Sequence, residues 1–277
     1  MPTTNAPNPD TLSPAVDTPN DGELADAASL GAIPKVFDNG FFALKRIGSS
    51  IGPGPALCAR ADGTPDAKSI KVKPIAGAVI HDTAVRFMAV ATETTINEAN
   101  LSGAVNFAIN TVYHVYLKFA AGVPTFEISA TAPDVYRLFK SGGTTHRFLF
   151  SFITDGSANV RRFSQNRDMH VFHTAVGISS GSPVAAEDKS FAGLVPIYVR
   201  IIRLRCSVQA GAGAIGLVWI GPKGTDVTGG DGQLLIAGIN GYSSECLDCP
   251  LDEDQKMSQI VNLAGTTSEL SLQGWLQ

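Results

Sequence analysis

Residues 109–165 read INTVYHVYLKFAAGVPTFEISATAPDVYRLFKSGGTTHRFLFSFITDGSANVRRFSQ. The opening run carries Val112, Tyr113, Val115, Tyr116, Leu117 and Phe119, the aromatic and β-branched types that suit a pleated surface. A small-residue turn at Ala120–Gly122 follows, and a second strand over Pro124–Ser129 reaches a proline-containing loop. A third strand over Arg147–Thr154 ends in Asp155-Gly156-Ser157-Ala158-Asn159 and returns as Val160–Phe163. Short β-prone runs separated by Asp-Gly and Gly-Gly punctuation predict antiparallel hairpins. No side chains in this stretch are spaced for chemistry, so the expectation is a mainly β fold that displays loops.

The same order of elements resembles a module of tailed-bacteriophage virion proteins, tail fibres and related appendages above all. The residues that carry the likeness are the aromatic strand, the x-Ala-Pro-Asp loop ending at Asp134, the Arg-Phe-Leu strand from Arg147, the Thr154–Asn159 turn and Val160-Arg-Arg-Phe163. A second likeness lies at Asn20-Asp-Gly-Glu-Leu-Ala-Asp-Ala-Ala-Ser-Leu30, which resembles the segment that opens a helix in many phage fibre and spike proteins. The chain departs from the usual fibre plan in having no long repetitive shaft, which leaves a compact appendage or a head-decorating protein open. The resemblance implies a structural component of a virion, made in the host cytoplasm and released by lysis. It also implies a homo-oligomer, commonly a trimer, whose other partners are virion proteins and, for a receptor-binding appendage, host surface polysaccharide.

Composition agrees with many short strands and tight turns. Charged residues make up 17% of the 277-residue chain against 44% apolar, with 28 glycines and 16 prolines. So little charge leaves apolar strand faces uncovered, which also predicts an oligomer. The net charge of -4 excludes a global attraction to nucleic acid. Arg200, Ile202, Leu204 and Cys206 fall on one face of a strand and Ile201, Arg203 and Arg205 on the other, a mixed strand facing water or a neighbour. No apolar run is long enough to span a membrane, and the N-terminus lacks the basic and apolar regions of a signal peptide.

The fold class predicted is mainly β, with antiparallel β-sandwich-like domains, an extended N-terminal arm and a short N-terminal helix. Residues 1–20 contain five prolines and few large apolar side chains, and read as an arm that grips a partner. Residues 21–60 read as a short helical attachment segment, with Glu23 and Asp26 in the first turn. One antiparallel domain is expected over 61–178 and a second over 188–277, with a Ser/Gly turn at Ser179–Ser182 in the boundary. Met169–Val176 is expected to extend the sheet of the first domain, and LSLQGWLQ to end the second as a terminal strand.

Candidate chemistry is sparse, and neither cofactor nor metal is expected. Gly211-Ala-Gly-Ala-Ile-Gly216 matches G-x-G-x-x-G, but strand-like LVWIG follows where a dinucleotide site needs a helix, so a hairpin connection is expected. Gly229-Gly-Asp-Gly232 reads as a turn. Cys246-x-x-Cys249 is half of a zinc spacing, and His170-x-x-His173 falls on opposite faces of a strand. Two free thiols or a late disulfide suit the cysteines better. Asp248, Asp252, Glu253 and Asp254 form an acidic loop. Glu127, Asp134, Asp155 and Asp168 are the acids that could pair as in a glycosidase, yet most sit where turns use carboxylates. The chain is therefore expected to be non-enzymatic. The alternative is a receptor- or carbohydrate-binding module. Tyr136, Phe139, Tyr242 or Trp275, if exposed, would then stack on sugar rings.

Overall fold

The computed structural model describes residues 59–61, 68–81, 85–166, 169–224, 232–262 and 264–276. The expected arm over 1–20 and nearly all of the attachment segment over 21–60 lie outside them. The described residues are mainly β, with antiparallel ladders throughout the named strands. The first three strands of residues 109–165 form as their pattern predicts, but the expected return over Val160–Phe163 does not: Val160 makes a single bridge to Thr154, and Phe163 begins a strand of another sheet. Strands β6 (Val112–Ala120), β7 (Val123–Ser129) and β8 (His146–Ile153) form a three-stranded sheet in the order β7-β6-β8. Its core face carries Val115, Leu117, Ile128 and Phe150, all fully buried.

The largest sheet has eight strands, in the order β15-β12-β17-β10-β9-β1-β2-β5. These are β1 (Ala59–Ala61), β2 (Ser69–Val72), β5 (Thr94–Asn97), β9 (Phe163–Asn166), β10 (Met169–Gly181), β12 (Ile201–Gln209), β15 (Tyr242–Pro250) and β17 (Thr267–Leu276). Strands from both sides of the expected 178–188 boundary therefore share one sheet. Two expectations are corrected here. Met169–Val176 joins this sheet and not that of β6–β8, pairing with β9 and β17. Ser179–Gly181 is not a turn: Ser179 pairs with Leu270 and Gly181 with Ser268, so the ladder overrides the turn preference of Ser and Gly.

A four-stranded sheet, β11-β16-β13-β14, lies over β12 and β15. Its strands are β11 (Glu187–Ser190), β13 (Gly216–Pro222), β14 (Gln233–Ala237) and β16 (Lys256–Val261), and β3 (Ile75–His81) with β4 (Val85–Val90) makes a separate hairpin. The Gly211–Gly216 segment is not the expected hairpin. It carries the chain from β12 in the large sheet to β13 in the small one. A Cβ on Gly216 would sit 2.9 Å from the Cα of Ala210, so close packing explains that glycine. Among the described residues no helix is long and apolar enough to cross a membrane.

β17 runs between β10 and β12 and holds the large sheet together. Trp275, fully buried, stacks on the equally buried His170 with ring centroids 3.7 Å apart. That stack needs the two backbones close, and Gly274 permits it: a Cβ there would lie 1.9 Å from the carbonyl oxygen of His170. Gly274→Ala is therefore expected to cost about 2–4 kcal/mol, since backbone on both sides must move. Urea unfolding of the variant measures it. A change under about 0.5 kcal/mol would mean that the approach is not tight.

Candidate functional site

The strongest concentration of polar groups lies on the other face of the β7-β6-β8 sheet. His114, Tyr116 and Lys118 alternate along β6, Glu127 and Ser129 stand opposite on β7, and His146 and Ser151 come from β8. The segment from Thr131 to Thr145 folds over this face, and Tyr198 closes one side through the Ser151 hydroxyl.

Glu127 is the charged centre. Its carboxylate, with a side chain only 6% exposed, accepts from Lys118 Nζ at 2.6 Å and Lys140 Nζ at 2.7 Å, and lies 3.2 Å from His146 Nε2. Burial alone would raise its pKa. The two lysine hydrogen bonds outweigh that and hold the carboxyl at about 2. Lys140 also lies 5.9 Å from the centre of the Tyr116 ring, whose hydroxyl donates to the Thr131 carbonyl at 2.7 Å.

His114, Ser151 and Tyr198 form a chain. His114 Nδ1 shares a 2.6 Å hydrogen bond with Ser151 Oγ, which lies 2.8 Å from the Tyr198 hydroxyl. Burial lowers the His114 pKa to about 4 and pushes the Tyr198 phenol upward. A neutral imidazole beside a serine hydroxyl is the start of a nucleophilic pair. Here the serine has no exposed surface, so no carbonyl substrate can reach it. The trio ties β6 and β8 to the segment before β12. No motif announced it, because the pair depends on the register His114↔Ser151, which a single sequence does not reveal.

The covering loop is held rigidly. Asp134 Oδ1 accepts from the backbone of Leu138 at 2.7 Å and Phe139 at 3.2 Å, while Asp134 N donates to Phe139 O at 2.7 Å. Leu138 and Phe139 are buried beneath the loop, and Arg137, at φ 57°, places its guanidinium 5.6 Å from the Tyr198 ring centre. The tip stands clear, with Val135 86% and Tyr136 64% exposed.

Of the four aromatic contacts expected, Tyr136 and Tyr242 are exposed. Phe139 and Trp275 are corrections, since both are buried: Phe139 anchors the loop, and Trp275 fills the core beside His170. Asp155 is a turn residue, accepting from Ser157 N at 2.8 Å and Asn159 N at 2.9 Å. Asp168 and the turn at 229–231 lie outside the described residues. Asp248 holds the guanidinium of Arg203 by two bonds of 2.8 and 2.9 Å, and Asp252 closes a turn by accepting from Lys256 N at 2.6 Å. Cys246 is exposed and Cys249 buried on opposite faces of β15, so the two cannot ligate one ion or bond to each other within the strand. No group of three or more metal-binding side chains occurs among the described residues. A polar groove of about 260 Å³ beside β10 and β11 is internally saturated: the Gln259 amide is held by Ser179 and Ser268, and Lys189 by Glu187.

No protein family matches this chain, and no curated protein matches it either.

The polar face makes stability depend on acid in two windows. His114 has a folded pKa below its ordinary 6.5, so its contribution is full above 6.5 and is lost as pH falls towards 4. Glu127 likewise contributes fully above its ordinary 4.5 and is lost as pH falls towards 2. Urea midpoints followed across this range should fall in both windows. Glu127→Gln should flatten the lower one, and His114→Asn should reduce the upper, whose remainder belongs to His146 and to buried His170, both also held below 6.5 by burial. Parallel pH profiles for all three proteins would contradict the assignment. For the turn, Asp155→Ala should cost about 1–2 kcal/mol and Asp155→Asn less, because the amide oxygen still accepts. Equal losses would show that charge, not acceptance, holds the turn.

Proposed function

We propose that the chain is a non-enzymatic structural component of a phage-like virion, acting through assembly and the display of surface loops. The observation that carries this reading is the Val135–Tyr136 tip. Two large apolar side chains stand in solvent on a loop fixed by the Asp134 oxygen, by buried Leu138 and Phe139, and by Arg137 against Tyr198. A surface aromatic on a rigid base loses little entropy on contact, which suits a presented epitope. Support also comes from the resemblance of residues 109–165 to virion modules. The carboxylates that a glycosidase reading would use add to it: Asp134 and Asp155 hold backbone amides, and Glu127 holds two lysines.

A second reading within the same particle is receptor or carbohydrate binding. It is favoured by Tyr136 at the tip and Tyr242 at the start of β15, both more than 60% exposed. Antibody raised against the purified chain should label phage-like particles by electron microscopy. Unlabelled particles, with the chain found only free in lysate, would sink the virion assignment. Tyr136→Ala should leave particle incorporation intact. A loss of about tenfold or more in cell-surface adsorption on that substitution would promote the receptor reading.

A further inference from the structure

Where β15, β12 and β17 run side by side, the outer face of the eight-stranded sheet carries a patch of polar side chains. On β12 the residues that turn away from the core are Arg203, Arg205, Ser207 and Gln209. They stand opposite Asp248, Cys246, Ser244 and Tyr242 of β15, and Ser207 also stands opposite Glu269 of β17. Arg203 is committed, because Asp248 accepts two hydrogen bonds from its guanidinium. Arg205 is not. Its Nε donates to the Ser244 hydroxyl at 3.1 Å, and no carboxylate pairs with it among the described residues.

Tyr242 lies on this patch as a platform. The hydroxyls of Ser207 and Ser244, and then the Arg205 guanidinium, lie beside its phenol and lower the phenol pKa. The ring therefore leans along the strand over the Ser207–Ser244 pair and does not stand away from the sheet. Ser207 is accordingly only 6% exposed, although it belongs to the outer face. The other side of the ring is open, and Tyr242 as a whole is 62% exposed. A ring pinned beside a fixed guanidinium loses little entropy when a ligand settles on it.

We propose that Tyr242 and Arg205 form a binding subsite for an acidic sugar, a pyranose ring that carries a carboxylate. The proposal rests on the receptor reading above and names its site and its ligand. The C–H face of the sugar stacks on the open face of the phenol ring. The carboxylate meets the terminal nitrogens of Arg205, a planar match that a neutral sugar lacks. Ser244 and Gln209, on either side of the ring, offer a hydroxyl and an amide to the sugar hydroxyls. A nucleic acid fits less well, because it needs a run of free cations. Arg205 is the one unpaired cation on these three strands, and Glu269 stands nearby on β17.

The test uses the full chain and two probes, glucuronate and N-acetylneuraminate. Glucose serves as the neutral ring, and acetate as the carboxylate without a ring. Titration by saturation-transfer NMR should give a Kd of about 1 mM for at least one acidic sugar, with glucose and acetate weaker by about tenfold or more. Tyr242→Ala should weaken that sugar by about tenfold or more, and Arg205→Gln should bring it to the level of glucose. Tyr242→Phe keeps the ring and should retain most of the affinity. Both side chains are exposed, so urea midpoints should stay within about 0.5 kcal/mol of the parent. No binding of either acidic sugar, binding equal to that of glucose, or indifference to both substitutions would overturn the proposal. An acidic peptide or an oligonucleotide that binds more tightly than either sugar, and is lost with Arg205→Gln, would overturn it in favour of that partner. If neither sugar binds while Tyr136→Ala still weakens adsorption, the receptor reading stands and this subsite falls.

Discussion

The contact on which most of the structure depends is the close passage of β17 past β10 at Gly274. Without a Cβ there, the two backbones approach until Trp275 lies flat on His170, and Phe163 and Phe172 complete the cluster around the imidazole. β17 then pairs on its other edge with β12, which carries β15. Remove that strand and the large sheet separates into β15-β12 and β10-β9-β1-β2-β5. The pairing partners lie about a hundred residues apart in sequence, so loop closure is entropically costly before the ladder returns any stabilisation.

The polar face of the β7-β6-β8 sheet follows a different logic. Its inner face is ordinary core, while its outer face carries an ion cluster that Thr131–Thr145 roofs over. Removing a carboxylate from water is unfavourable unless partners replace the lost hydration, and Glu127 has two ammonium groups and an imidazole within reach. The covering loop could not rest on bare charge. It rests on a carboxylate whose charge is more than met by two ammonium groups, one of them, Lys140, supplied by the loop itself.

Local pattern was legible where strands are short and turns are marked. The β6–β7 hairpin, the β8 strand and the Asp155 turn follow from alternation and Asp-Gly-Ser punctuation, and the strand faces of β12 from its alternating residues. Long-range pairing was not. Ser179–Gly181 reads as a turn until β17 supplies a ladder partner, and the glycines at 211–216 look the same whether they close a hairpin or cross between sheets. Aromatic residues near turns were misplaced for a related reason. Phe139 lies in a loop and Trp275 in the terminal strand, but burial of either is decided by what arrives from elsewhere, here Arg147 over Phe139 and His170 over Trp275. The outer apolar face of β13 and β14 was half legible: both runs are plainly hydrophobic, but only the register shows which side chains form one strip.

The strand alternation of β15 also sorts the thiols by reactivity. Cys206 and Cys249 face the core, where burial pushes both pKa values up to about 12, while Cys246 three residues earlier faces water. A thiol reagent attacks only the deprotonated, reachable sulfur. Among the described residues, the folded chain therefore offers one alkylation site, and the other two become available only as the sheet opens. The number of labels taken up per molecule is a built-in clock for that opening.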